Sequence, residues 1–228
     1  MTDAASNHVQ KGWGTQKSRE ITWHDPAPTT SMGASMAGLD FMRAIMDGQV
    51  PTPPLHSLMQ INMVSVEPGK VVFTCAPDES TYNLTGVVHG GVICALLDNA
   101  VGAAVRSTLP QGKGNTSVEI KVNYLKAVQQ SSGLLTATGT VVKSGSRVAF
   151  TEGTVTDVSG ALVATASSTV LVFDLPNRAR TQPTARRNQL SALFSMRRSG
   201  PSQRGSHRRQ VPGGTARGRA CPFDAAGS

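Results

Sequence analysis

The stretch NLTGVVHGGVICALLDNAVG, from Asn83 to Gly102, limits the possible folds more than any other part of the chain. Residues 91–105 are apolar except for the adjacent pair Asp98 and Asn99. This predicts a long helix that is apolar nearly all round, which other structure must wrap. Asp98 and Asn99 also break the best candidate for a membrane span, so no stretch reaches the roughly 18 apolar residues a span requires. A carboxylate in such a run is costly to bury unless it is partnered or used.

The wrapping material is legible on both sides of the helix. HSLMQINMVSVE (56–67) and KVVFTCA (70–76) read as strands broken by Pro68-Gly69. In TSVEIKVNYLK (116–126), Val118, Ile120, Val122 and Tyr124 alternate with Glu119, Lys121 and Asn123, which predicts a half-buried strand. LLTATGTVV, RVAFTEGTVTD and ALVATASSTVLVF supply further strands, and the short breaks between them favour antiparallel pairing. The predicted fold class is therefore α+β: a curved antiparallel sheet of about six strands wrapped around one long central helix, the hotdog arrangement. Its open edges predict a dimer.

Outside this body the chain reads differently. Residues 1–34, with Pro26, Pro28, a Thr/Ser cluster and the aromatic Trp13 and Trp23, read as an irregular arm. Residues 35–176 form the predicted domain. It begins with a short amphipathic helix over 36–47, capped by Ser35, with Leu39, Met42 and Met46 on one face and Gly48 as its stop. Residues 177–228 read as a disordered tail rich in Arg, Ser, Gly and Pro.

Charge follows the same division. The net charge of +8 comes from the tail, where 11 Arg and the single acid Asp224 give +10, while residues 1–176 carry −2. The tail has no Tyr or Trp to stack on bases, so no nucleic-acid partner is expected. The three cysteines, Cys75, Cys94 and Cys221, are too scattered for a disulfide framework or a metal site. The first residues, MTDAASNHVQKGWG, lack the apolar run of a signal peptide. A cytoplasmic protein with no membrane association, metal or cofactor is expected.

The opening stretch also carries chemistry. Gly90 and Gly91 precede the helix, whose first N–H groups are unpaired and whose dipole adds partial positive charge. Such a terminus can hold a carbonyl oxygen as it becomes negative, although these glycines would equally permit tight helix–sheet packing. Asp98 lies eight residues beyond Gly90, about 12 Å along the axis, too far to meet a carbonyl held at its own helix start. An antiparallel partner helix across a two-fold axis would bring the two together, giving an active site astride a dimer interface. His89 would orient the loop and contact the carbonyl; Asn83 would fix that loop or approach the attacking water. Lys143 and Arg147 in KSGSR, with the turn between them, could meet phosphates or be an ordinary solvated hairpin.

Asn83, His89, Gly90, Gly91 and Asp98, in the pattern N-x5-H-G-G-x6-D, resemble the signature of PaaI-like hotdog acyl-CoA thioesterases. The similarity continues through residues 117–128, 141–150 and 160–172. The resemblance implies hydrolysis of an acyl-CoA thioester without cofactor or metal, with Asp98 as nucleophile or as base toward water. It implies that the Gly90 N–H polarises the carbonyl beside Asn83 and His89, and that Ser117 helps position the water. It places CoA contacts at Gly91, Lys143, Gly145, Ser146 and Arg147, in dimers that pair into tetramers. A hotdog hydratase or dehydratase and a non-catalytic acyl-CoA-binding module are the alternatives. The acyl group would be set by a pocket drawing on residues such as Leu55, Met59, Leu96 and Val101.

Overall fold

The computed structural model describes residues 14–175. The predicted tail, together with Trp13, falls outside them. Three short helices, α1 (Pro26–Ser35), α2 (Gly38–Met46) and α3 (Pro54–Met59), precede the hairpin β1 (Ile61–Glu67) and β2 (Lys70–Cys75). The long helix α4 (Gly90–Arg106) follows, then β3 (Lys113–Tyr124), β4 (Leu135–Ser144), β5 (Val148–Thr156) and β6 (Leu162–Asp174). All six strands form one antiparallel sheet in the order β1-β2-β4-β5-β6-β3, leaving β1 and β3 as edges. This is the hotdog arrangement. Ile93, Leu96, Leu97, Ala100, Val101, Ala104 and Val105 of α4 are buried against the sheet's inner face, where Phe73, Leu135, Val155 and Val170 are nearly inaccessible.

Helix and sheet approach unusually closely at β4. A Cβ on Gly139 would stand 2.2 Å from the Ala100 carbonyl oxygen. The tighter helix–sheet approach is thus made by a strand glycine rather than by the pair that opens the helix, where a Cβ on Gly90 would stand 3.2 Å from Tyr124 of β3.

Three local readings require correction. Residues 26–34, read as part of an irregular arm, belong to the helix α1, which runs on to Ser35. Pro26 and Pro28 sit in its first turn, where the missing N–H groups have no intrahelical partner to lose. The Asp25 carboxylate caps this turn by accepting from Ala27 N–H, and the Thr30 and Ser31 hydroxyls donate to carbonyls one turn back. Ser35 does not cap the next helix: α2 starts at Gly38 without a side-chain cap, and the Ser35 hydroxyl donates to Met32 O. Finally, 56–59 belong to α3 rather than to a strand. Pro54 opens that helix and Gln60, in the left-handed region at φ 54°, ends it. Trp23 is exposed.

The edge strand β3 carries a bulge between Ser117 and Glu119, so that Val118 is an extra residue against β6. Without it, residues 117 and 120 would point to opposite faces. With it, both Ser117 and Ile120 face α4, and Val118 turns outward, 59% exposed, contrary to the strict alternation read from the sequence.

Candidate active site

The expected residues gather at two places along α4. The first is its middle. The Ser117 hydroxyl donates to Asp98 Oδ1 at 2.6 Å, and the pair lines a cavity of about 450 Å³. Asp98 is not enclosed by the Leu and Ala that flank it in sequence. Leu96, Leu97 and Ala100 turn into the core, while Asp98 and Asn99 look into the cavity beside His56, Phe41 and Met63. Leu55, Met59, Leu96 and Val101 do not line it. Met59, Leu96 and Val101 are committed to the core, and the apolar wall of the cavity comes instead from Phe41, Met42, Ile45, Met63 and Phe73.

His56 escaped the sequence reading. Its ring is 4% exposed and packs edge-on against Phe73, with 5.5 Å between centroids. The Asn99 amide nitrogen donates to Ala95 O, so its oxygen must accept; His56 Nε2 therefore donates to it, at 3.1 Å. Burial holds the His56 pKa below its ordinary value, opposed only by this hydrogen bond, so the ring is neutral at pH 7. The segment holding it reads as a strand in the sequence, and a lone histidine in the six-residue helix α3 carries no local mark of burial.

The second place is the helix start. His89 is the N-cap of α4, and its Nδ1 accepts from the Gly91 N–H at 2.9 Å. In the neutral ring the proton therefore lies on Nε2, on an exposed side chain. The Gly91 donor is taken, and Gly90 keeps the first-turn N–H that no helical carbonyl can reach. A Cβ on Gly90 would come within 3.2 Å of the Tyr124 ring, whose hydroxyl donates to Gly90 O. Burial, with the nearby Cys94, raises the Tyr124 pKa and keeps this donor protonated. Asn83 ties down the preceding loop: its side-chain oxygen accepts from Thr85 N–H and the Thr85 hydroxyl, and its own N–H donates to Val87 O.

The two places do not meet within one chain; eight residues of helix, about 12 Å, separate Gly90 from Asp98. Lys143, near the end of β4, and Gly145, Ser146 and Arg147, in the turn to β5, lie exposed and touch neither place. The ladder sets their level: Val148 pairs with Leu171 and Leu171 with Thr116, so the turn stands two strands, about 10 Å, from the strand bearing Ser117.

A thioesterase superfamily model matches residues 85–164, from the glycine turn into β6. Human acyl-coenzyme A thioesterase 13 is 32% identical over 108 residues, covering 47% of this chain and 76% of that protein. The chain belongs to the thioesterase superfamily. It is a thioester hydrolase. Another relative of this thioesterase is the 1,4-dihydroxy-2-naphthoyl-CoA hydrolase of Listeria monocytogenes, 29% identical over 118 residues, covering 52% of this chain and 94% of that one. Among solved structures, a thioesterase of Haemophilus influenzae superposes with a TM-score of 0.53 at 23% identity, covering 60% of this chain and 91% of that chain. A phenylacetic acid degradation-related protein of Ralstonia eutropha gives a TM-score of 0.53 at 24% identity, covering 57% and 97%. These last two share the fold. No helix among the described residues is long and apolar enough to cross a membrane.

Proposed function

We propose that this thioesterase hydrolyses acyl-CoA in active sites built from two copies of the chain. Asp98 of one subunit acts on a thioester carbonyl held by the Gly90 N–H, with His89 Nε2–H beside it, at the start of α4 in the other. The observation that carries the reading is the Ser117–Asp98 hydrogen bond at the cavity wall. It leaves one carboxylate oxygen free and fixes the group in one orientation. The names of the relatives support CoA thioesters as the substrate class.

In one course Asp98 takes a proton from water as the water oxygen attacks the carbonyl carbon. The resulting oxyanion accepts from Gly90 N–H, the C–S bond breaks, and the CoA sulfur leaves with the proton. In the other, the carboxylate oxygen attacks the carbonyl carbon, the C–S bond breaks and CoA leaves as thiolate; water then opens the mixed anhydride, regenerating the Asp98 carboxylate and releasing the acid, with the water's proton passing to the thiolate. A thioester is electrophilic enough for one carboxylate and one donor site to suffice.

A dimer is supported by the spacing along α4 and by the free edge of β3, twelve residues long with Val118 and Tyr124 exposed. Dimers pairing into tetramers and a cytoplasmic setting belong to the same reading; sedimentation and cell fractionation test them. Gly91 and the turn residues Lys143, Gly145, Ser146 and Arg147 meet the CoA moiety, so reversing both charges should raise KM for acyl-CoA. The deciding experiment is Asp98→Asn assayed for thiol release on an acyl-CoA panel, with enoyl-CoA hydration followed in parallel. A fall in kcat of roughly 100- to 10,000-fold is expected with the oligomer intact. Undiminished turnover would remove Asp98 from the reaction.

A further inference from the structure

We infer that the acyl pocket is built for an acyl group that ends in a carboxylate, received by Arg106; this rests on Asp98 being the reacting carboxylate. Arg106 stands in the last turn of α4, half-buried. Its guanidinium donates to the carbonyls of Gly33 and Lys113 and lies 5.5 Å over the Phe41 ring. None of these partners carries a negative charge. The ion pairs among the described residues are Lys17–Glu79, Arg19–Asp78, Lys113–Asp174 and Lys126–Asp157, and Arg106 is in none of them. A guanidinium has five N–H donors, and two are engaged here, which leaves a fork suited to a carboxylate. Its burial lowers its pKa. A desolvated cation without a counter-charge is an expensive feature to keep unless a ligand completes it.

The position of Arg106 identifies that ligand. Asp98, Gly102 and Arg106 follow one another at i, i+4 and i+8 on the face of α4 that lines the cavity. Gly102 presents no side chain, so the path between the two charged groups stays open over about 12 Å of helix. A second, more apolar cavity of about 340 Å³ lies under α1 and shares Phe41, Ile45, Pro53, Arg106 and Asn115 with the first. Among the described residues, Asp98 is the only acid in either lining. An acyl group with its thioester at Asp98 therefore runs along an apolar wall toward an unneutralised cation. An ω-carboxyacyl chain of medium length matches all three features. A plain alkyl chain would leave the guanidinium still without its counter-charge.

The test compares adipoyl-, suberoyl- and sebacoyl-CoA with hexanoyl-, octanoyl- and decanoyl-CoA on the full-length protein. At the best-fitting length kcat/KM should favour the ω-carboxyacyl member by about tenfold or more, as for a charge-assisted hydrogen-bonded pair. Arg106→Met should bring that ratio close to one, and Arg106→Lys should keep part of it; a purely structural role would lower both substrates alike and leave the ratio standing. Cleavage of plain acyl-CoAs with no preference in the wild type, or a ratio unmoved by Arg106→Met, overturns the inference while the thioesterase reading survives. Should Arg106→Met not fold, the same ratio is read on Arg106→Gln. If no thioester is cleaved, calorimetry of suberoyl-CoA against octanoyl-CoA on Asp98→Asn decides: about tenfold tighter binding of suberoyl-CoA supports the inference, and equal binding overturns it.

Discussion

Ser117 reaches Asp98 because one extra residue, Val118, is inserted into β3 against β6. The hydroxyl gives the carboxylate a fixed donor and so selects which oxygen stays free for the reaction. Ser117→Ala should therefore lower kcat by roughly 10- to 100-fold, the range for loss of a hydrogen bond to a charged group, while KM changes little. Equal kcat in the two proteins would reduce Ser117 to a strand residue. Asp98, a charge inside an apolar run, and Asn83, His89 and Gly90, just before that run, were legible in the sequence as candidates for the proposed site. His56 was not. A histidine in a short segment gives no sign of burial until α3, closed by Gln60 in a left-handed conformation, turns it under Phe73.

At the scale of elements, α4 and β4 fix each other's position through the approach of Gly139 to Ala100. A methyl at 139 cannot be accommodated by rotating a side chain, since the atom it meets is backbone. Gly139→Ala should cost about 1–3 kcal/mol or more, read as a lower denaturation midpoint. The β5–β6 turn depends on Asp157, whose carboxylate accepts from Lys126 Nζ, Ser159 N–H and hydroxyl, and Ala161 N–H. The Lys126 bond, then the Ser159 bonds, hold its pKa well below the usual carboxylate range. A depressed native pKa means that the unfolded chain takes the proton first. This contribution is thus present above about pH 4 and lost as the pH falls further. Asp157→Asn should flatten the acid limb of stability against pH, and an acid limb identical to wild type would refute the assignment. The strands after α4 were readable from alternation. Of the helices before β1, α2 was readable from its amphipathic pattern, but α1 and α3 were not, because prolines, threonines and serines mark a helix start and a loop alike until tertiary contacts choose.

For the whole molecule, the separation of Gly90 from Asp98 means that the proposed site needs two chains. Mixing subunits tests this directly. Asp98→Asn and a variant crippled at the helix start, such as Gly90→Pro, should each be inactive alone. Refolded together in equal amounts, half of the dimers are mixed and each mixed dimer holds one intact site, so about a quarter of wild-type activity should return. No recovery in verified mixed dimers would confine the site to one chain.

By itself the sequence determined the long apolar helix and the strands β2 to β6, and singled out Asp98 as the candidate carboxylate, because burial periodicity and an ill-placed charge are local properties. Tertiary structure alone decided that a bulge turns Ser117 inward, that α2 closes a cavity over Asp98, and that Arg106 ends there without a counter-charge among the described residues. Those outcomes depend on which surfaces meet, and residues far apart in the chain carry no mark of that meeting until the sheet has wrapped the helix.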